Sequence, residues 1–516
     1  MRIFSPNGLD GADSALGSRR WVVILLALFA SLICCMRLYT YDEPFERDLT
    51  TYAVIGHELN HGRLLYSDMW DNKPPGIFAA YAISESIVGY GPQTIFFLNI
   101  IASLGTLLAL FFAGSHPKFG YIGGLFAAGL WVVIGGDFLL QANQPNTEAI
   151  INTLVMIGVA LILRAPARWS LTSYLGIGLI FGVGGLFKQV CLVFALMVGF
   201  WHFIRVWHDT KIFRRAFIQM VFIGVGSALP WALTFLYFTG TDRFDILFAS
   251  AIEYSSSYAG SMSRNILRAF GGGILWPSFI DNIKPLIISS FIFIFLGLIR
   301  TPTLWLLPLV LGASAFIVMA LPGRFFPHYY QYYLPVICLV TGWGCSYING
   351  LTVKLRIPAF LILGAILVTV TTSEMSYFKL SPDQISELKY GAVFTEVKNH
   401  SSEMRSLVNP DDFILDFGIE TGFYFYTNTR PSAGVLWSNA ITSGPLSREF
   451  TERFYRQVAE NPPKLILIED FHKGPPHEVV RWLYKSNQLL GRKGQFEYYA
   501  PEDSAVAAAA KGFFPL

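Results

Sequence analysis

Charge is scarce in this chain. Of its 516 residues, 14% are Asp, Glu, Lys or Arg, against 53% hydrophobic residues. A soluble domain averages about a quarter charged residues, so a soluble enzyme is excluded and a membrane protein with some soluble mass attached is expected. The net charge of +3 is too small to point to nucleic acid as a partner. Cysteine is sparse as well. Cys34, Cys35, Cys191, Cys338 and Cys345 all fall in apolar segments, and none follows Cys345. No pair is spaced as CxxC, which argues against a cysteine zinc site or a dithiol redox centre, and the C-terminal region has no disulfide framework. GxGxxG, the P-loop and internal repeats are also missing. Aromatic residues, by contrast, make up 16% of the chain, which suits membrane-interface belts and sugar-stacking surfaces equally.

A membrane-spanning helix needs about twenty mostly apolar residues. The candidate runs are 21–38, 93–114, 119–138, 147–164, 171–187, 189–206, 216–238, 283–299, 303–321, 331–349 and 357–373. Backbone groups in lipid must be satisfied within the segment, so all are read as helices, about eleven spans in a range of 11–13. The first run follows Arg19 and Arg20 and lacks a small-residue cleavage site, so it reads as a retained signal anchor. With the N-terminus and Arg2 in the cytoplasm, the loops returning to that side carry Lys118; Arg164 and Arg168; Arg205, Lys211, Arg214 and Arg215; Arg300; and Lys354 and Arg356. Every cytoplasmic loop is then basic, as the positive-inside rule requires. Residues 76–91 are apolar but short and contain Ser84, Glu85 and Ser86. Counting them as a span would invert every later loop, so they are expected to form a helix at the outer interface.

This division gives a transmembrane domain over 1–375 and an extracytoplasmic α/β domain over 376–516, with the C-terminus outside. In the second, 413–416, 423–426, 464–468 and 496–499 read as strands, and the stretches around 383–404, 446–460 and 476–489 as amphipathic helices. The polar groups of the first domain collect on the outer face. They are the first outer loop (39–92), Asn143–Gln144–Pro145–Asn146–Thr147–Glu148, the break Lys188–Gln189, the loop 239–282, and Arg324–Phe325–Phe326–Pro327–His328–Tyr329–Tyr330–Gln331.

Within the first outer loop, His57–Glu58–Leu59–Asn60–His61 matches HExxH, which on a helix places two imidazoles one turn apart with a glutamate base between them. A zinc peptidase needs a third protein ligand, and the extended pattern fails because Leu64 and Ser67 stand where Gly and His are required. The stretch is therefore expected to be an interfacial helix with polar residues facing water. Asp48 precedes an apparent helix over 49–61. It is either that helix's N-cap or a carboxylate at the membrane surface that takes a proton from an attacking hydroxyl. Lys73 precedes two prolines that fix the chain direction. It either snorkels or pairs with a lipid phosphate. Lys188, with Gln189, interrupts an apolar region and needs a partner. Glu148 is a helix-start acid, or it binds substrate or a lysine. Arg324 and His328 form an aromatic-belt anchor, or Arg324 contacts a phosphate.

Taken in order, Glu46–Arg47–Asp48 with Tyr52, then Tyr66, Asp68, Trp70, Asp71 and Lys73–Pro74–Pro75–Gly76, resemble the first outer loop of bacterial GT-C glycosyltransferases. These are the polytopic enzymes related to protein O-mannosyltransferases and the lipid A aminoarabinose transferase. Asn146–Thr147–Glu148, Phe187–Lys188–Gln189 and Phe326–Pro327–His328–Tyr329–Tyr330 resemble later motifs of the group, and the likeness covers about residues 20–375. The resemblance implies a GT-C transferase in the bacterial inner membrane. It would move a sugar from a polyprenyl-phosphate donor to a glycan, lipid or protein acceptor on the outer face, with inversion. Asp48 would be the base. Lys73, with Lys188 and Arg324, would bind the donor phosphate. Arg47, Tyr52, Asp71, Glu148, Gln189, His328 and Tyr329 would contact substrate. Many relatives have an Asp–Glu pair where this chain has Asp48–Leu49. The role of that Glu is absent or has moved to Asp42, Glu43, Glu46 or Glu148. A carboxylate-bound divalent metal is thus unsupported, and no cofactor is expected. The alternative is a transporter or flippase of lipid-linked sugars, but transporters usually place polar residues near the midplane and often show repeats.

Overall fold

The computed structural model describes residues 19–165, 170–469 and 476–510. Arg2 and Arg168, used above for orientation, lie outside them. Among the described residues, eight helices are long and apolar enough to cross a membrane: Arg20–Tyr39, Pro92–Gly114, Thr147–Arg164, Gln189–Thr210, Phe213–Gly240, Ser278–Arg300, Pro302–Ala320 and Val353–Lys379. The chain is a multi-pass membrane protein. The other three expected spans are also helical, as Gly120–Ile134, Leu171–Gly185 and Leu334–Asn349. They have 15, 15 and 16 residues. At a rise of about 1.5 Å per residue they fall short of the roughly 30 Å hydrocarbon core. Glycines end the first two, at Gly135 and after Gly184–Gly185, and the third starts only after the 3-10 segment Pro327–Tyr333.

The structure has two compact units that are discontinuous in sequence. One holds residues up to 41 with 98–237 and 259–381; the other holds 42–97, 238–258 and 382–516. Residues 42–97, grouped by sequence with the spans, thus pack in the same unit as the C-terminal region.

In the first unit, close backbone packing comes from small residues, as is usual between membrane helices. A Cβ on Gly342 would lie 2.3 Å from the Gly123 carbonyl, and one on Gly123 would lie 2.6 Å from that of Gly114. Beside this contact the rings of Phe119 and Trp343 stack with centroids 4.7 Å apart.

The second unit is built on a five-stranded sheet: β1 (Phe413–Phe417), β2 (Arg430–Pro431), β3 (Leu465–Glu469), β4 (Gln488–Lys493) and β5 (Phe496–Ala500), in the order β2-β1-β3-β5-β4. β1 runs parallel to β2 and β3, whereas β5 is antiparallel to β3 and β4. The strands expected at 413–416, 464–468 and 496–499 are present. Residues 423–426, expected as a strand, are instead in the helix Gly422–Thr427. Phe423, Tyr424 and Phe425 are all buried, and a short continuous apolar run does not distinguish a buried strand from a buried helix; Asn428, at φ +57°, closes the helix with its N–H on the Tyr424 carbonyl. The expected helix over 476–489 is Glu478–Ser486, after which the chain enters β4. The region 383–404 divides into Pro382–Tyr390 and Val393–Met404, broken at Gly391 with φ +76°.

Two helices of the segment 42–97 also belong to this unit. Arg47–Asn60 packs on Gly76–Val88 at Gly56, where a Cβ would lie 2.9 Å from the Ala82 nitrogen. Gly76–Val88 is the short helix expected over 76–91. It buries Ile77, Phe78, Tyr81 and Ser84 and ends at Gly89, φ +86°.

Candidate functional site

The helix Arg47–Asn60 is capped by Glu46, whose carboxylate accepts from the Asp48 N–H at 3.3 Å. Asp48 therefore sits in the first turn rather than at the cap, where exposed N–H groups favour negative charge. Leu49, the departure from the Asp–Glu pair, is completely buried. A carboxylate at that position would be desolvated, a cost the leucine avoids. Burial, reinforced by the neighbouring Asp48, pushes the Glu46 carboxyl up to about 8.

The turn after this helix brings a lysine back to its start. Tyr66 adopts φ +67°, unusual for an aromatic residue, and is held there by three bonds. Its N–H donates to the Met69 carbonyl at 2.6 Å, its hydroxyl donates to the Lys73 carbonyl at 2.7 Å, and its carbonyl accepts from Arg453 at 2.7 Å. Asp71 accepts from the Lys73 N–H at 2.9 Å, an Asx-type turn that fixes the lysine backbone. The ammonium of Lys73 then lies 3.7 Å from Asp48 Oδ1 and 3.8 Å from Asp71 Oδ1. It also lies over two aromatic faces, 5.1 Å from the ring centroid of Tyr52 and 5.7 Å from that of Trp437, within cation–π range. Burial pushes the Asp71 carboxyl up against the pull of Lys73. Its Oδ2 and the Trp437 Nε1 are buried without a hydrogen-bond partner among the described residues. Buried polar atoms left in this state are costly and are what a polar ligand would satisfy.

Sequence reasoning missed the C-terminal contribution. Trp437 is delivered by a backbone contact in which the Trp70 N–H donates to the Gly434 carbonyl at 2.8 Å. A Cβ on Gly434 would lie 1.6 Å from the Asp68 carbonyl, so no other residue fits. Trp70 is itself held by the Ser250 hydroxyl at 3.0 Å. Arg47 forms an ion pair with the buried Glu420, and the Thr421 hydroxyl donates to the Arg47 carbonyl at 3.1 Å. No motif marked Glu420, Thr421, Gly434 or Trp437, which lie more than 350 positions from the helix Arg47–Asn60.

The other sequence-predicted residues belong to the first unit. Asn146 caps Thr147–Arg164, its side chain accepting from the Thr147 N–H at 2.7 Å. Glu148 is fully buried and takes Lys188 Nζ at 2.6 Å, with the Thr147 hydroxyl on its other oxygen at 2.9 Å. The Lys188 ammonium lies 3.9 Å from the centroid of the Tyr329 ring. Gln189 follows in a 3-10 turn and is half-buried. His328 Nδ1 lies 2.9 Å from the Gln141 side-chain oxygen, and Arg324 is exposed. The structure thus brings Asp48, Asp71, Lys73 and Tyr52 together in one unit, with Arg47 alongside, and joins Glu148, Lys188 and Tyr329 in the other.

The HExxH letters have a structural explanation. Glu58 is completely buried. Its oxygens accept from Arg430 Nε at 2.9 Å and Nη2 at 2.7 Å, and Arg63 Nε lies 3.1 Å away. A carboxylate held by two guanidiniums is not free to act as a general base.

No protein-family model and no curated relative matches the sequence, but solved structures share its fold. ArnT from Cupriavidus metallidurans bound to undecaprenyl phosphate superposes with a TM-score of 0.62 at 14% identity, covering 94% of this chain and 99% of that one. The same protein in its apo state gives 0.63 at 14% identity, covering 94% and 98%. The oligosaccharyltransferase of Archaeoglobus fulgidus, tethered with an acceptor peptide, gives 0.53 at 11% identity, covering 88% of this chain and 69% of that one. The fold is that of the GT-C membrane glycosyltransferases, as the sequence motifs led one to expect.

Proposed function

We propose that this protein is a glycosyltransferase that moves a sugar from a polyprenyl-phosphate-linked donor to a hydroxyl-bearing acceptor on the extracytoplasmic face of the membrane. The observation that carries this reading is the Lys73 ammonium, 3.7 and 3.8 Å from Asp48 and Asp71 and flanked by the Tyr52 and Trp437 rings. An ArnT of the same fold binds undecaprenyl phosphate, which supports a polyprenyl phosphate as the lipid partner here. A lysine ammonium has three donors and no acceptor. Lys73 faces the phosphodiester oxygens of the donor, and the two aromatic faces stack on the sugar.

In the reaction the acceptor oxygen attacks the anomeric carbon from the side opposite the phosphate. Its proton passes to Asp48, the bond from carbon to phosphate oxygen breaks, and the electron pair leaves with the lipid phosphate. Lys73 stabilises the charge that accumulates there. The phosphate is an adequate leaving group unprotonated, so the second carboxylic acid of glycoside hydrolysis is not required. A single displacement inverts the sugar. Asp71 holds the Lys73 backbone and shares its charge. Arg47, fixed by Glu420, orients the helix that carries Asp48. No metal enters these steps.

Incubating the purified protein with a panel of polyprenyl-phosphate sugars and a membrane extract, then identifying the glycosylated product, tests the reading. Transfer from a lipid-phosphate sugar is expected. Turnover of a nucleotide sugar with no use of lipid-phosphate sugars would overturn it.

A further inference from the structure

The HExxH stretch lost its base but kept its imidazoles. His57 and His61 lie one helical turn apart, with ring centroids 4.2 Å apart. Asp411, far away in sequence, completes a trio in which one ligand-capable atom from each residue lies within 4.8 Å of the other two. The third ligand that sequence spacing did not provide is supplied by the fold.

The surroundings prepare these side chains. His57 Nδ1 is 2.7 Å from the Glu85 carboxylate, and His61 Nδ1 is 2.9 Å from the His57 carbonyl. Both Nδ1 atoms are thus engaged, and each ring presents Nε2. A histidine whose second nitrogen is held by a carboxylate or a backbone carbonyl is the usual form of a metal ligand. Tyr90 stacks on His57 with centroids 4.1 Å apart and fixes its ring plane. Asp411 has φ +65°, and its N–H donates to the Asn428 carbonyl at 3.0 Å. Its neighbour Asp412 is tied to Lys464 at 2.6 Å. The nearby Arg430 pairs with Glu58 at 2.7 Å, a carboxylate it shares with Arg63.

We infer that His57, His61 and Asp411 form a binding site for a divalent transition-metal ion of the zinc type. Ligand atoms of a tetrahedral zinc site lie about 3.4 Å apart, given metal–ligand distances of about 2.0–2.2 Å. His61 and Asp411 are exposed and can close that gap by rotamer adjustment. Two imidazoles and a carboxylate suit zinc rather than calcium or magnesium, which prefer all-oxygen shells. With Glu58 held by arginines, the ion has no adjacent base and the site is not a peptidase. It would instead join the C-terminal end of the helix Arg47–Asn60 to the turn before β1, and so clamp the helix whose first turn carries Asp48. This inference does not depend on the proposed glycosyl transfer.

The test uses the full-length protein in detergent after chelator treatment, with Zn2+ in equilibrium dialysis and Co2+ as a spectroscopic probe. One equivalent of zinc is expected, with visible Co2+ bands typical of nitrogen–oxygen coordination and a melting temperature that rises with zinc concentration. His61→Ala and Asp411→Asn alter exposed residues, and asparagine tolerates the φ of +65° at position 411. Each should keep the metal-free melting temperature and weaken zinc binding at least tenfold. Binding of less than one equivalent by the unaltered protein, or equal affinity in both variants, would overturn the assignment.

Discussion

The two lysines singled out by sequence are held in different ways. Lys188 lies 2.6 Å from the fully buried Glu148, with the Tyr329 ring 3.9 Å away on another side. Lys73 stands 3.7 and 3.8 Å from two carboxylate oxygens and over the Tyr52 and Trp437 rings, and Asp71 Oδ2 and Trp437 Nε1 have no hydrogen-bond partner among the described residues. The first arrangement is a closed ion pair of the kind that is costly to break. The second has charge, aromatic surface and unmet hydrogen-bonding capacity. The same residue type, flagged by the same motif logic, is paired at close range with one carboxylate in one unit and shared at longer range between two carboxylates and two aromatic rings in the other.

Substitutions can break this comparison. The largest expected effect is on catalysis. Lys73→Ala should lower sugar transfer by about 10²–10³-fold, as loss of a group that stabilises transition-state charge does, and should lower the melting temperature less than Lys188→Ala does, because its carboxylates stand farther off. Lys188→Ala should show the reverse emphasis. It leaves Glu148 charged and buried without its cation, a loss of about 3–5 kcal/mol, visible as a lower melting temperature in detergent. If Lys188→Ala unfolds no earlier than Lys73→Ala, the distinction between the two lysines fails. Gly434→Ala comes next. The added methyl collides with the Asp68 carbonyl and should cost about 1–3 kcal/mol, with reduced transfer because Trp437 shifts away from Lys73.

The smallest effect concerns Glu46. Its folded carboxyl is raised from 4.5 to about 8. The folded state therefore binds a proton that the unfolded chain releases. This contribution to stability is fully present below pH 4.5 and is lost as pH rises through about 8. Glu46→Gln should flatten the melting temperature across that window. An unchanged pH profile would show that the carboxyl is not held protonated beside Asp48.

Much of this was legible from the chain alone, because hydropathy and motif order are local signals. The helical segments, the amphipathic Ser447–Glu460, and the pairing of Asp48 with Lys73 in one loop could be read directly. The eleven expected spans became eight helices of spanning length because Gly135 and Gly184–Gly185 end two of the apolar runs early and Pro327–Tyr333 delays a third. The aromatic run 423–426 has the composition of a strand, and a short continuous apolar run does not distinguish a buried strand from a buried helix. Trp437, Gly434, Glu420 and Asp411 left no local signal, because their meaning arises only when the C-terminal sheet packs with the first outer loop. Leu49, the position that did not fit the family pattern, is completely buried.

The most direct test of the central claim is Asp48→Asn, which removes the proton acceptor and keeps the shape of the helix start. Transfer from a polyprenyl-phosphate sugar and binding of the same donor should be measured on the same preparation. The account predicts that transfer falls to background while donor binding is retained within a few-fold. Transfer at the unaltered rate would show that Asp48 is not the base and contradict the mechanism.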